Sequence, residues 1–188
     1  TAMQLNDALR FIQATSARGQ SVLFVGTKRA AREIVADQAA RSGMYYVNNR
    51  WLGGTLTNFK TVQKSIDGLI KLEKARDEGR FDSLTKKEAL DLTRKIAKMD
   101  RSLGGIKDMK GLPGAMFVID PKREYIAVRE ANKLGIPVVA LCDTNCNPDN
   151  IEHVIPGNDD ALKSIHLFTQ AIADAAIEGQ ASGRDQFV

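Results

Sequence analysis

A chain of 188 residues with 43% hydrophobic content is long enough for one full domain with a real core. Two cysteines, Cys142 and Cys146, exclude a disulfide framework and fit a reducing cytosolic setting. No apolar run reaches the roughly 18 residues of a membrane span, and no secretory signal is visible.

Residues 3–17 read as an amphipathic helix with Leu5, Ala8, Leu9 and Ile12 on one face. Ser21 to Val25 is a short apolar strand that leads through Gly26-Thr27-Lys28 into a helix over 28–42, with Ala31, Ile34, Val35 and Ala39 inward. Met44 to Val47 is a second strand. A loop follows, Asn48 to Asn58, which holds the only Trp, an arginine, a Gly-Gly pair and no carboxylate. Over 61–110, Val62, Ile66 and Leu69, then Leu92, Ile96, Met99 and Leu103, recur at spacings of three and four on either side of Gly79–Ser83. That pattern predicts an antiparallel coiled-coil hairpin projecting from the body, as either a docking arm or a dimerisation arm. Gly114 to Ile119 is a third strand. Asp120-Pro121 should cap and open a helix over 123–134, since Asp accepts from orphan amides and Pro suits a first helical position. Ile136 to Leu141 is a fourth strand and His153 to Ile155 a short fifth. Asn158-Asp159-Asp160 should cap a last helix ending near Glu178, with 179–188 as a frayed tail. Strands alternating with helices imply an α/β fold: a Rossmann-like three-layer domain with a parallel sheet, formed by 1–60 and 111–178 and interrupted by the hairpin.

Charge is segregated along this plan. Residues 1–60 carry 8 Lys/Arg against 3 Asp/Glu, a balance of +5; residues 61–110 carry 13 against 9, or +4; residues 111–188 carry 6 against 11, or −5. One face should therefore meet a polyanion, while the acidic last third turns to solvent or protein.

Three chemistries compete. For catalysis, three strand ends are polar: Thr27-Lys28, Asp120 and Asp143-Thr144-Asn145. Yet no G-x-G-x-x-G or G-x-x-x-x-G-K-[ST] follows the first strand, and no nucleophile elbow is present. For zinc, Cys142, Cys146, His153 and His166 number four, but their C-x3-C-x6-H-x12-H spacing matches no compact finger. RNA docking uses more of the chain. Lys28, Arg29 and Arg32 crowd a helix start, where amide donors add to the pull on phosphate. Asn48, Asn49 and Arg50 follow the next strand and should emerge at the same sheet edge. Trp51 either stacks on a base or anchors the loop, and anchoring is favoured. Gly53 and Gly54 permit close backbone approach or a positive φ. Thr57 and Asn58 either bond phosphate or cap the first hairpin helix.

Six segments together resemble a known family: V-G-T-K-R-A-A (Val25 to Ala31), N-N-R-W-L-G-G-T-L-T-N-F-K-T (Asn48 to Thr61), P-G-A-M-F-V-I-D (Pro113 to Asp120), E-A-N-K-L-G-I-P-V-V-A (Glu130 to Ala140), D-T-N-C-N-P-D (Asp143 to Asp149) and V-I-P-G-N-D-D-A (Val154 to Ala161). In that order they are similar to the bacterial form of small-ribosomal-subunit protein two, the S-two family. The resemblance implies a ribosomal protein rather than an enzyme, located in the cytoplasmic ribosome of a bacterium or in an organelle. It implies binding to small-subunit ribosomal RNA and a place beside other ribosomal proteins, including S-one. It implies no cofactor, no small-molecule substrate and no membrane. The family pattern begins earlier, with a His-Phe-Gly-His segment and a further strand, and this sequence opens on Thr1 rather than Met, so residues are expected upstream. Without that segment the sheet would have one strand fewer, and apolar surface would be left for another protein. The expected RNA contacts are Lys28, Arg29, Arg32, Asn48, Asn49, Arg50, Thr57, Asn58 and Lys60, joined on the hairpin by Lys64, Lys71, Lys86, Lys87, Arg94 and Lys98. Trp51, Gly53 and Gly54 anchor the loop, and no metal site is expected. The alternative is a small-molecule-binding Rossmann-like protein.

Overall fold

A computed structural model describes residues 2–144 and 146–186. Its elements run α1 (Ala2–Ala17), β1 (Val22–Val25), α2 (Arg32–Arg41), β2 (Tyr45–Val47), α3 (Phe59–Asp77), α4 (Lys86–Leu103), β3 (Ala115–Ile119), α5 (Tyr125–Lys133), β4 (Val138–Cys142), β5 (His153–Pro156) and α6 (Leu162–Asp185). The five strands form one parallel sheet in the order β2-β1-β3-β4-β5. β1, β3 and β4 are buried along their whole length, which is why they read as continuous apolar runs rather than alternating ones.

Alternation reappears in where the side chains go. Val22, Phe24, Ala115, Phe117, Ile119, Val139 and Leu141 pack with α1, α2 and α6 on one side. Leu23, Val25, Met116, Val118, Val138 and Ala140 pack on the other with Ala127, Val128 and Ala131 of α5, with Trp51 and Leu56 of the loop, and with the hairpin's Ile66, Leu69, Ile96 and Leu103. The fold is thus three layers. The hairpin roots in the same apolar cluster as the loop before it, through the positions its periodicity predicts. Val62, Leu92 and Met99 are half-buried. α4 starts with a capping box, Thr85 Oγ1 accepting from the Glu88 amide while Glu88 accepts from the Thr85 amide. At 19 residues and about 1.5 Å per residue, α3 spans about 30 Å.

At four helix ends the structure does something other than the sequence reading expects. α2 begins at Arg32 rather than residue 28, because residues 28–31 turn at the sheet edge with the Lys28 carbonyl accepting from the Ala31 and Arg32 amides. α5 begins at Tyr125 rather than 123. Asp120 sits at φ +63, in the left-handed region; its carbonyl accepts from the Arg123 and Glu124 amides and its Oδ1 from the Arg123 amide, so it closes the turn ahead of the helix while Glu124 takes the N-cap position. α6 begins at Leu162 with no side-chain cap: Asn158 Oδ1 accepts from the Asp160 and Ala161 amides and closes a turn just ahead of the helix. The largest difference is at the other end of α6. Instead of a tail from 179, the helix continues through Asp185 along α1. A Cβ on Gly179 would lie 2.2 Å from the Gln13 carbonyl oxygen, and one on Gly183 would lie 2.4 Å from that of Ala17. The glycines that look like helix breakers in sequence let two helices touch. Gly183→Leu is therefore expected to cost about 1–3 kcal/mol in a denaturation titration by overpacking this contact; an unchanged midpoint would show the contact is not made. Residues 187 and 188, and Asn145 at the end of β4, lie outside the described residues.

Candidate nucleic-acid interface

In a parallel sheet of order 2-1-3-4-5, the crevice beyond β1 and β3 is where the chain direction of the connections reverses and where small ligands commonly bind. Here that crevice is filled from within. The Lys28 ammonium lies 2.9 Å from Asp120 Oδ2, 3.1 Å from Asp159 Oδ1 and 2.6 Å from Asp160 Oδ1, and it also donates to the Asp159 carbonyl. Burial alone would lower the lysine pKa, but the bonds to Asp160, Asp120 and Asp159 outweigh it and raise the pKa. Asp143, Asp159 and Asp160 bring carboxylate oxygens within 4.8 Å of one another, and Lys28 pairs with the last two of them. Next to it, Thr27 gives both its amide and its hydroxyl to the buried Glu124, and Arg123 Nε donates to the same hydroxyl at 3.0 Å.

The loop after β2 is held by one side chain that sequence reasoning missed. Glu130, on the inner face of α5 and 7% exposed, accepts five hydrogen bonds. Trp51 Nε1 at 2.8 Å and the Gly54 amide at 3.0 Å reach Oε2; the Leu56 amide, the Thr57 amide and the Thr57 hydroxyl reach Oε1, each at 3.1 Å. Burial pushes this carboxyl pKa up, but hydrogen bonds from Trp51, Thr57, Gly54 and Leu56 outweigh it and leave the pKa below the usual range. The missing carboxylate of the Asn48–Asn58 loop is thus supplied from 73–79 residues away. A signal existed: Glu130 falls at helical spacing among Ala127, Val128 and Ala131, on the apolar face, where a lone acid needs a partner.

This geometry sorts the expected contacts. Trp51, 8% exposed and bonded through its ring nitrogen, is a loop anchor rather than an open stacking platform. Gly54 has φ +91, so a glycine suits that turn; Gly53 has no such demand, since a Cβ there meets open space. Lys28, expected among the contacts, has its ammonium engaged inside the crevice by three carboxylates. The Thr57 hydroxyl is engaged on Glu130, and Asn58 Oδ1 accepts from the Thr61 hydroxyl. Asn48 Nδ2 bonds the Arg32 carbonyl, tying the loop to α2, and Arg32 Nε bonds the Thr27 carbonyl. Arg29, Arg50 and Lys60 are exposed, as are Lys64, Lys71, Lys86, Lys87, Arg94 and Lys98 on the hairpin, and none of these makes an ion pair among the described residues. Asn49 and Arg50 line a notch of about 250 Å³ together with Arg123.

Sequence comparison adds the decisive observation: residues 1–179 match the family described as ribosomal protein S2. The chain belongs to the ribosomal protein S2 family. Among its relatives is the small ribosomal subunit protein uS2 of Marinobacter nauticus, 53% identical over 191 residues that cover 100% of this chain and 76% of the relative. The S2 assignment agrees with the parallel sheet and with the order of the six segments noted in the sequence. His153, considered above as a zinc ligand, stacks on Phe11 at 4.8 Å, and His166 lies exposed on α6. No described helix is long and apolar enough to cross a membrane.

Proposed function

We propose that this S2-family chain is a structural constituent of the small ribosomal subunit. It docks on ribosomal RNA through Arg29, Asn49, Arg50 and Lys60 at the sheet edge and through the exposed cations of the hairpin. In the same reading it holds neighbouring ribosomal proteins, S-one among them, and resides in a bacterial or organellar ribosome. The supporting observation is how the cations are divided. The lysine in the crevice is neutralised internally, whereas Arg29, Arg50 and Lys60, and Lys64, Lys71, Lys86, Lys87, Arg94 and Lys98 of the hairpin, stand exposed and make no ion pair among the described residues. Cations placed this way release counterions from phosphate on docking, while the rigid loop and the hairpin fix orientation. A crevice occupied by Lys28 and its carboxylates also leaves little support for a small-molecule ligand there, so no catalytic step belongs to this reading.

Co-sedimentation with small subunits tests it directly. The chain should travel with the subunit, and the retained fraction should fall as salt rises. Arg50→Ala is expected to reduce the slope of log affinity against log salt by about one, the share of a single phosphate contact. An unchanged slope would remove Arg50 from the interface.

A further inference from the structure

The outward face of α5 stands out from the acidic third that contains it. Residues 121–134 hold four cations, Lys122, Arg123, Arg129 and Lys133, against two acids, Glu124 and Glu130. Both acids are buried, at 4% and 7% exposure, and both are consumed by the Thr27 and Trp51–Thr57 segments. The charge left on the outside of this stretch is therefore wholly basic. Among those cations Tyr125 is 56% exposed, with the Arg129 guanidinium carbon 5.8 Å from its ring centre. Beside the ring opens a cavity of about 490 Å³, between α5 and the loop after β4; Lys122, Arg129, Asn132, Asn147 and Asn150 line it, with Asp149 the one carboxylate at its wall.

We propose that this face is a second RNA-docking surface, which takes an unpaired nucleotide by stacking its base on Tyr125 and its phosphate on Lys122 and Arg129. It rests on the RNA-docking reading above and extends it to a part of the chain whose overall charge points the other way. Every base has a π-face, so an exposed tyrosine beside cations suits single-stranded RNA. The amides of Asn132, Asn147 and Asn150 offer donors and acceptors to base edges, and Asp149 can accept from an exocyclic amino group. The cavity volume lies within the roughly 300–1,000 Å³ range of small-ligand pockets. An acidic protein segment would need only the cations, whereas an exposed ring beside the amides of Asn132, Asn147 and Asn150 also suits the face and edge of a base, which favours RNA. Proximity favours it too: Arg123 and Ile126 line the same notch as Asn49 and Arg50, so the β2 loop and the start of α5 border one concavity.

Ultraviolet cross-linking of small subunits containing the full chain, followed by trypsin and mass spectrometry, tests the assignment. The peptide Glu124–Arg129 should carry a nucleotide adduct on Tyr125. In parallel, the purified full chain should bind a single-stranded uridine decamer, and Tyr125→Leu should weaken that binding about tenfold, while Tyr125→Phe retains it. Tyr125 is exposed, so neither variant threatens the fold. No adduct on this peptide, an unchanged decamer affinity in Tyr125→Leu, or an amine cross-link from Lys122 or Lys133 to another protein would each overturn the proposal. In those cases subunit co-sedimentation of the unaltered chain still stands as the separate test of the ribosomal reading.

Discussion

Glu130→Ala should lower the stability of the chain by about 3–5 kcal/mol in a urea titration, with loss of the native Trp51 fluorescence environment. The magnitude follows from what the substitution strands. Five donors converge on one buried carboxylate, and removing the acceptor leaves the Trp51 ring N–H and the Gly54, Leu56 and Thr57 amides without partners, at about 1–3 kcal/mol for each group that water cannot reach. Glu130→Gln is the sharper probe. All five facing groups donate, so the Gln amide nitrogen must oppose at least one donor, and a substantial part of the loss should persist. A near-neutral Gln variant would show that the charge is dispensable. The pH dependence has a defined sign. The folded-state carboxyl pKa is depressed, so its stabilisation is complete above the unfolded value of about 4.3 and is lost as pH falls through the folded value. Wild-type stability should therefore fall more steeply in acid than that of Glu130→Gln.

Lys28→Met should cost about 3 kcal/mol, because it leaves Asp120 and the buried Asp159 facing Asp160 and Asp143 with no cation among them. Adding Asp159→Asn to Lys28→Met should recover part of the loss, since it removes the carboxylate that is deepest in the cluster. The same variant separates an internal role from an RNA contact. Measured at a temperature where it is folded, Lys28→Met should keep the wild-type salt slope for RNA, unlike Arg50→Ala. A reduced slope would return Lys28 to the interface.

The sheet was legible in the sequence because its strands are short, its three central ones are fully buried, and glycine or polar residues bound them, so their limits differ from the observed ones by no more than two residues. The hairpin was legible from spacing alone, since Ile66, Leu69, Ile96 and Leu103 must share an inner face. The helix starts were less so. Lys28, Asp120 and Asp159 look locally like first-turn or capping residues, but attraction across the crevice between segments distant in sequence draws them inward instead. The tail failed for a similar reason: Gly179 and Gly183 break helices by propensity, but contact with α1 overrides it. Of the proposed interface, the exposed cations could be read from composition, while the residue that shapes the loop could not, because hydrogen bonds from 51–57 to residue 130 leave no local pattern. The basic face of α5 was hidden by counting its two glutamates as surface charge.

The grip of Glu130 on the Trp51–Thr57 backbone has a consequence for the order in which the chain acquires its shape. Those segments lie 73–79 residues apart, with the whole hairpin between them. The hairpin closes through nearby contacts and can form as soon as residues 59–103 are free to pair. The loop has no such local route, because its amides stay with water until α5 is made and seated on the sheet. During synthesis, therefore, the arm is expected to take form before the segment that joins it to the body, which waits for α5.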